Sequence, residues 1–492
     1  MNSFVQNRFV KQITDFFSLL IVILFIVCGV VPLVYAQPVV GAERTRSLWR
    51  LDNAVLLFDY HRKTVGESRQ FFTYPRRNGE FVRVFAEGER GALIYYADSL
   101  VGDVPVHHYG VTVSPVATLY YLDGEGLVQD NSDKFGSEAG LYVRGYVDSL
   151  DFDLDVRAYS GERSADAAEE YVRYRGHLGF NYAWFRASLA RDVLHWGPGY
   201  YNNLAFNQNA LPYNMVNVDI TFGPIHVFSV YTNLYENDDG NKINKRNLYA
   251  HRYEVAIDNL TVGVTEIQVL YSENKPWLFT PIVPLFIEKG NYTEQVNNGA
   301  ISFDINYRLF HLARFYGEFF LDDMASPVAL YENEYSNNRW AGMLGVQIAQ
   351  DVYVGRRLLQ LGSLLEIARV EPYTYCHFKD APALMAHQGL PLGNPNGPNS
   401  LAIDWTIYGK LGLGGLTYLF AGLHNKWLWK GSDNGSNIDD PYRTERKRFI
   451  NDAPLKYSIT PMITYRSEYF SISGEYSFFG EKNVGVRLSG RL

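Results

Sequence analysis

The stretch LDFDLDVRAY at residues 150–159 decides the fold, because apolar and polar side chains alternate along it. Successive side chains of a β-strand point to opposite faces, so this strand has one apolar face and one mainly charged face. A strand of a soluble β-sandwich can show the same pattern, so its meaning depends on repetition. The apolar face carries Leu150, Phe152, Leu154, Val156 and Ala158, and the other face carries Asp151, Asp153, Asp155, Arg157 and Tyr159.

The alternation returns in other parts of the chain, such as ISFDINYRL at 301–309 and VGVRLSGRL at 484–492. Repeated segments of about ten residues with this rhythm are typical of transmembrane β-barrels, whose strands must close because an unpaired backbone amide in lipid is costly. Long polar stretches at 236–247, 372–400 and 431–447 have the character of extracellular loops. We therefore predict an all-β protein, a large antiparallel transmembrane β-barrel of about 16 to 18 strands.

Composition excludes several other classes of protein. The net charge of −8 comes with no dominant basic stripe, which argues against a nucleic-acid partner. After residue 36 no run of 18 apolar residues occurs, so no transmembrane helix is expected in that part. The longest apolar patch, 276–287, contains three prolines, which argue against a helix there.

The first residues have the pattern of an export signal. Arg8 and Lys11 precede an apolar run from Phe16 to Val34, and Ala36 ends a site of the kind that signal peptidase reads. We expect a signal peptide at 1–36, with an uncleaved anchor as the alternative. Its removal would leave Cys376 as the only cysteine and no intramolecular disulfide. We expect a small N-terminal periplasmic segment at 37–109, which could include the first strands, and the barrel at 110–492.

The segment 187–212 begins as a strand and then turns sharply at Gly197, Pro198 and Gly199, where the glycines allow backbone angles that other residues disfavour. The polar and aromatic residues around this turn could lie inside a wide pore or across its mouth. Flat aromatic faces and planar amides recognise sugars, so we predict that the loop either contacts a glycan or plugs the lumen. The predicted site residues are His195, Trp196, Tyr200, Tyr201, Asn202, Asn203 and Asn207.

Several motifs, in the same order along the chain, resemble the Wzi capsule-assembly family, and the resemblance covers roughly residues 110–480. The most characteristic is Trp196-Gly197-Pro198-Gly199 within RDVLHWGPG, which is followed by Asn202-Asn203-Leu204. The others are HRYE at 251–254, FYGEFFLDD at 315–323, Glu366 with YTY at 373–375, and GLPLGNPNGPNS at 389–400.

This resemblance implies an outer-membrane barrel of about eighteen strands with a small helical bundle on the periplasmic side. It also implies a lectin-like role in which the protein binds capsular polysaccharide and assists its attachment or assembly, without catalysis. Two features depart from the family pattern: the sequence ends in Leu492 rather than in an aromatic residue, and the N-terminal bundle is not evident.

The sequence thus predicts a non-catalytic outer-membrane protein that binds extracellular or capsular polysaccharide. The expected partners also include outer-membrane lipid and lipopolysaccharide, and the barrel is expected to be a monomer without cofactor or metal. No nucleophile elbow and no zinc-protease motif occurs in the sequence. The alternative functions are a porin or solute channel, with the same wall but an open lumen, and a barrel enzyme that uses His195.

Overall fold

The computed structural model describes residues 73–74 and most of residues 109–491. The main gaps lie at 125–134, 161–171, 286–296, 324–338, 378–382, 442–447 and 477–482. The predicted signal peptide and nearly all of the predicted periplasmic segment fall outside the described residues, so both stay predictions.

Eighteen strands among the described residues form one closed antiparallel barrel, as the alternating segments predicted. We number the barrel strands along the chain. They are β1 Tyr109–Gly124, β2 Phe135–Val147, β3 Leu150–Ser160, β4 Val172–Tyr182, β5 Phe185–Asp192, β6 Tyr213–Phe222, β7 Ile225–Leu234, β8 Arg246–Ile257, β9 Leu260–Tyr271, β10 Asn298–Leu309, β11 Ala313–Asp323, β12 Arg339–Val354, β13 Arg357–Val370, β14 Ser400–Gly414, β15 Thr417–Lys430, β16 Leu455–Arg466, β17 Phe470–Tyr476 and β18 Asn483–Arg491.

Each strand pairs with its neighbour in the chain, and β1 pairs with β18 to close the ring. Turns of two or three residues join β2 to β3, β4 to β5 and every second pair after them, so all these turns lie at one end. Connections of six to 29 residues lie at the other end. Outer-membrane barrels have short periplasmic turns and longer extracellular loops, so the short-turn end faces the periplasm and the long-loop end faces outward.

The barrel has its apolar face outside and its polar face inside. Along β10, Phe303 and Ile305 are 45% and 51% exposed, whereas Asp304 and Asn306 are 3% and 2% exposed. A soluble protein would bury the opposite set. Leucines, isoleucines and aromatic residues are exposed in the same way along most of the other strands. This inversion matches a wall that meets acyl chains outside and encloses polar groups within.

Opposite charges pair inside the barrel, toward its short-turn end. The Arg252 guanidinium on β8 binds the Asp304 carboxylate through two hydrogen bonds of 2.7 and 3.0 Å and also donates to Glu254. His226 on β7 bridges Glu254 and Asp219 at 3.2 and 2.8 Å. Buried charges are stable only when they are paired and hydrogen-bonded, and this network satisfies that condition.

Among the residues that the structure describes, no helix has the length and apolar character needed to cross a membrane. In the described part of the proline-containing patch, Pro276–Phe279 form a 3₁₀ turn. This turn belongs to the connection between β9 and β10. We call its described part, residues 274–281 and 283–285, the outer strap, because it packs against outward-facing side chains of β7, β8 and β9.

The outer strap is held mainly by polar side chains that point away from the lumen. The Tyr253 hydroxyl donates to the carbonyl of Pro281 at 2.9 Å, and the Ser229 hydroxyl donates to the carbonyl of Phe279 at 2.5 Å. The backbone N–H of Leu285 donates to the Glu266 carboxylate at 3.2 Å. Irregular backbone needs such partners where water is scarce, which explains why these wall positions are polar. Leu278 and Leu285 of the strap form a small apolar cluster with Tyr249 and Leu270 of the wall beneath it.

We predict that an arginine on the outer face destabilises the barrel according to its depth. Ile305→Arg places a cation in the middle of the apolar belt and should lower the free energy of unfolding by about 2–4 kcal/mol. Val354→Arg, at the short-turn end of β12, should lower it by about 1 kcal/mol or less. Urea unfolding in lipid vesicles measures both values, and equal losses for the two variants would contradict a lipid-facing belt.

Candidate functional site

The connection between β5 and β6 folds back against the inner wall of the barrel, and we call its described part, residues 193–207 and 210–212, the inner loop. Gly197 has φ +112°, a conformation that side chains disfavour. A Cβ atom on Gly199 would lie 2.4 Å from the Asn203 side-chain oxygen and 2.8 Å from the Met343 methyl group. The two glycines of the Trp-Gly-Pro-Gly motif are therefore required by backbone conformation at one position and by close packing at the other.

His195 and Asn203 fix the turn from within. The Asn203 side-chain oxygen accepts the Gly199 N–H at 2.6 Å, and its amide nitrogen lies 3.0 Å from Nε2 of His195. That same ring nitrogen lies 3.0 Å from the Gly199 carbonyl. The imidazole is thus engaged in holding the loop shape rather than pointing at open space.

Glu366, on the inner face of β13, is the main anchor of the inner loop. Its carboxylate accepts the backbone N–H groups of Tyr200, Tyr201 and Asn202 at 2.5, 2.9 and 3.0 Å. It also accepts the hydroxyl of Tyr316 at 2.8 Å. Consecutive amides that converge on one carboxylate resemble the N–H cluster at a helix start, which favours a negative charge.

A second wall carboxylate, Glu318 on β11, binds the next part of the loop. It accepts the N–H groups of Leu204 and Ala205 at 2.7 and 3.0 Å, together with the Ser302 hydroxyl at 2.8 Å. Five backbone amides between residues 200 and 205 therefore end on two carboxylates of the opposite wall. Buried carboxylates need several donors, and the loop supplies most of them.

Asp404 on β14 anchors the side chains of the inner loop. It accepts the Asn202 amide at 2.9 Å and lies 2.8 Å from Nε2 of His424. The His424 ring stacks on Tyr201 with centroids 4.5 Å apart and planes 3° apart. The Tyr201 hydroxyl is 2.7 Å from the Thr406 hydroxyl, so this tyrosine is held at both its ring and its oxygen.

The described part of the long connection between β13 and β14, residues 371–377 and 383–399, covers the inner loop. The Tyr375 hydroxyl donates to the Leu204 carbonyl at 2.8 Å, and the Asn394 amide donates to the Asn202 side-chain oxygen at 3.2 Å. The Asn207 N–H donates to the Leu392 carbonyl at 2.7 Å. These contacts hold the inner loop between the wall and a second loop.

Trp196 is the apolar centre of the inner loop. Its ring is fully buried and meets Phe206 and Phe228 edge to face, with centroids 4.9 and 5.3 Å apart. Trp196 also pairs with Thr73 in an antiparallel contact of two residues on each side. Among the described residues, this is where the N-terminal segment meets the inner loop. Aromatic packing of this kind makes a loop rigid.

All seven predicted site residues are brought together, and each is at most 7% exposed. Sequence reasoning missed their partners Glu318, Glu366 and Asp404 as site residues. The first two lie within motifs that carry the family resemblance, as does Asn394, so three of the motifs meet at the inner loop. For Glu318 and Glu366, their place within these motifs was the signal that could have found them.

Burial shifts the pKa of His195 in the inner loop and of Cys376 in the connection between β13 and β14. It lowers the pKa of His195 to about 4, so the imidazole is neutral at neutral pH. Burial also raises the pKa of the Cys376 thiol well above its usual range, which makes this thiol unreactive. Within the described part of the chain, no group of three or more His, Cys, Asp or Glu side chains is arranged to hold a metal ion.

A closed eighteen-strand barrel with an apolar outer face and a polar interior places the chain in the class of outer-membrane β-barrel proteins. The predicted fold class and outer-membrane location are thereby confirmed. The class by itself assigns neither transport nor binding, because function depends on what fills and surrounds the barrel.

Comparison with solved structures finds outer-membrane barrels that share this fold. The chain is similar to Wzi of Escherichia coli, an outer-membrane protein involved in group 1 capsule assembly and described as a carbohydrate-binding β-barrel. The TM-score is 0.61 at 14% identity, over 93% of this chain and 99% of that chain, which shows a shared fold.

Two porins are more distant. A BenF-like porin from Pseudomonas fluorescens Pf-5 has a TM-score of 0.44 at 6% identity, over 78% of this chain and 98% of that chain. OccK2 (OpdF) of Pseudomonas aeruginosa, solved with glucuronate, has a TM-score of 0.42 at 10% identity, over 79% and 99%. No protein-family model and no curated protein matches the sequence.

We predict that His195 makes the folded barrel less stable in mild acid. Above pH 6.5 neither state binds a proton at this ring, and the loop has its full stability. Between pH 6.5 and about 4 the unfolded chain is protonated but the buried ring is not, so stability falls by up to about 1.4 kcal/mol per pH unit and then levels off.

His195→Asn, which keeps a polar group in the turn, should remove this part of the slope. Unfolding in urea at a series of pH values, compared between the two proteins, measures the difference. The same slope in both proteins would show that His195 is not the titrating group.

Proposed function

We propose that this protein is a plugged, non-catalytic outer-membrane barrel that binds surface or capsular polysaccharide and assists its attachment or assembly at the cell surface. The proposal that the lumen is plugged is based on one observation. The inner loop is attached to three strands of the opposite wall through Glu318, Glu366 and Asp404. A constriction loop in an open channel needs free space beside it, whereas this loop is buried on its polar and apolar sides alike.

Because the inner loop is buried, we propose that the glycan binds to the outer connections of the barrel instead. Asn202, Asn203 and Asn207 are fully buried, and their amides bind protein groups. A glycan at the cell surface meets the outer connections first, especially the described parts of those between β13 and β14 and between β15 and β16. In the second of these, Ser432, Asn434 and Asn437 are exposed. Amides and hydroxyls of this kind form hydrogen bonds with sugar hydroxyls.

Glycan-array binding tests the polysaccharide part of the proposal. The refolded protein should bind one or a few related surface polysaccharides, and replacement of Asn434 and Asn437 by alanine should reduce that binding. An array without any binding above a detergent-only control would contradict the proposal, while the fold would stand.

Conductance in planar bilayers tests the plug. The unaltered protein should show no large, steady single-channel currents. Glu366→Ala leaves three backbone amides without their acceptor, and Trp196→Ala removes the apolar centre, so both variants should open the lumen and admit large antibiotics. Asn434→Ala, on an outer loop, is the matched control and should leave conductance unchanged. Large currents from the unaltered protein would identify a porin instead.

A further inference from the structure

A groove opens on the outer face of the barrel wall, opposite to the face that carries the inner loop. Its volume is about 500 Å³, and it crosses β3 to β7. Sites for small molecules typically have volumes of about 300–1,000 Å³. The groove is therefore large enough to hold part of a ligand, and it faces the lipid rather than the lumen.

The strand register shows that the groove faces outward. Residues directly opposite in paired strands share a face, and Leu154, Gly176, Arg191 and Asn214 form one such row from β3 to β6. The next row toward the short-turn end contains Leu178, Leu189 and Val216. Leu178 and Leu189 are 52% and 57% exposed, so both rows lie on the outer face.

The floor of the groove is apolar and is lowered at one point. Leu154, Leu178, Leu189 and Val216 supply the floor, and Gly176 leaves a depression among them because it has no side chain. Tyr231 forms one border. It packs against the apolar cluster beneath the outer strap, which raises this side of the groove above the neighbouring wall.

The end of the groove that faces the long loops is polar. Arg191, Asn214 and Asn233 each lie one residue from the long-loop end of their strand. The Arg191 guanidinium lies over the Tyr174 ring, 4.7 Å from its centroid, which fixes the cation above the apolar floor. The neighbouring carboxylate of Asp192 lies on the other face of β5, where it pairs with Arg175 at 3.3 Å.

We propose that this groove binds a phosphorylated glycolipid of the outer leaflet. Acyl chains would lie on the leucine floor, and a phosphate would bind Arg191. The Asn214 amide and the side-chain oxygen of Asn233 would bind sugar hydroxyls, since the Asn233 side-chain nitrogen already donates to Tyr231 and Asn247. The position of the cation at the long-loop end selects the outer leaflet. Arginine matches phosphate through two parallel N–H donors, and amides beside it suit a sugar headgroup better than a simple phosphodiester.

Diphosphoryl lipid A is the probe, with phosphatidylglycerol as the comparison lipid, and native mass spectrometry of the detergent-solubilised protein measures binding. The unaltered protein should retain lipid A in preference to phosphatidylglycerol. Arg191→Gln should weaken retention of lipid A about tenfold or more, because it removes a charge-assisted hydrogen bond. Gly176→Leu should weaken it by filling the depression.

Two matched controls separate this site from the rest of the wall. Gly342→Leu alters an outward glycine on β12, where an added Cβ would lie 3.6 Å from the Trp340 ring. Arg357→Gln removes an exposed cation at the short-turn end. Both controls should bind lipid A as the unaltered protein does. If Gly176→Leu does not fold, Asn214→Leu replaces it as the second groove variant.

Equal retention of lipid A by the unaltered protein and by the groove variants would overturn the proposal. Equal retention of lipid A and phosphatidylglycerol by the unaltered protein would also overturn it, because the groove would then be a general lipid contact.

Discussion

A backbone amide in a bilayer has no water to bind, and this constraint governs both surfaces of the wall. The strands meet it by pairing around a closed ring in which β1 joins β18. Once the ring is closed, the pleat sends alternate side chains to lipid and to the lumen. The same constraint explains the outer strap, where Tyr253, Ser229 and Glu266 are polar on an outer face because a non-strand segment lies on them.

Inside the barrel, the groups that need hydrogen-bond partners are carboxylates rather than backbone amides. Glu318 and Glu366 are buried, and the inner loop supplies five backbone N–H groups to them. The loop therefore supplies hydrogen-bond donors to the wall, and the wall supplies acceptors to the loop. Neither would be stable in this arrangement without the other. The proposal of a plugged lumen depends on this reciprocity.

The two-residue rhythm of segments such as 301–309 predicted the fold class and about the right number of strands, because side-chain period and lipid exposure are local properties. The residues of the inner loop were also predicted as a group from the turn at Gly197 and Gly199. Their partners were not, since an inward carboxylate has the same local sequence whether it meets water or an amide. The outer strap was predicted only as a stretch that is not helical, because its wall contacts depend on register between β7, β8 and β9.

Contacts between the inner loop and Glu366 join residues that are 164 to 166 positions apart in the chain. Such distant contacts form late in folding, because every strand between them must first be in place. Until these contacts form, the wall carboxylates need other hydrogen-bond donors, such as water, in place of the loop amides. In the plugged barrel that we propose, these long-range contacts complete the permeability barrier, so a barrel that lacks them would be leaky.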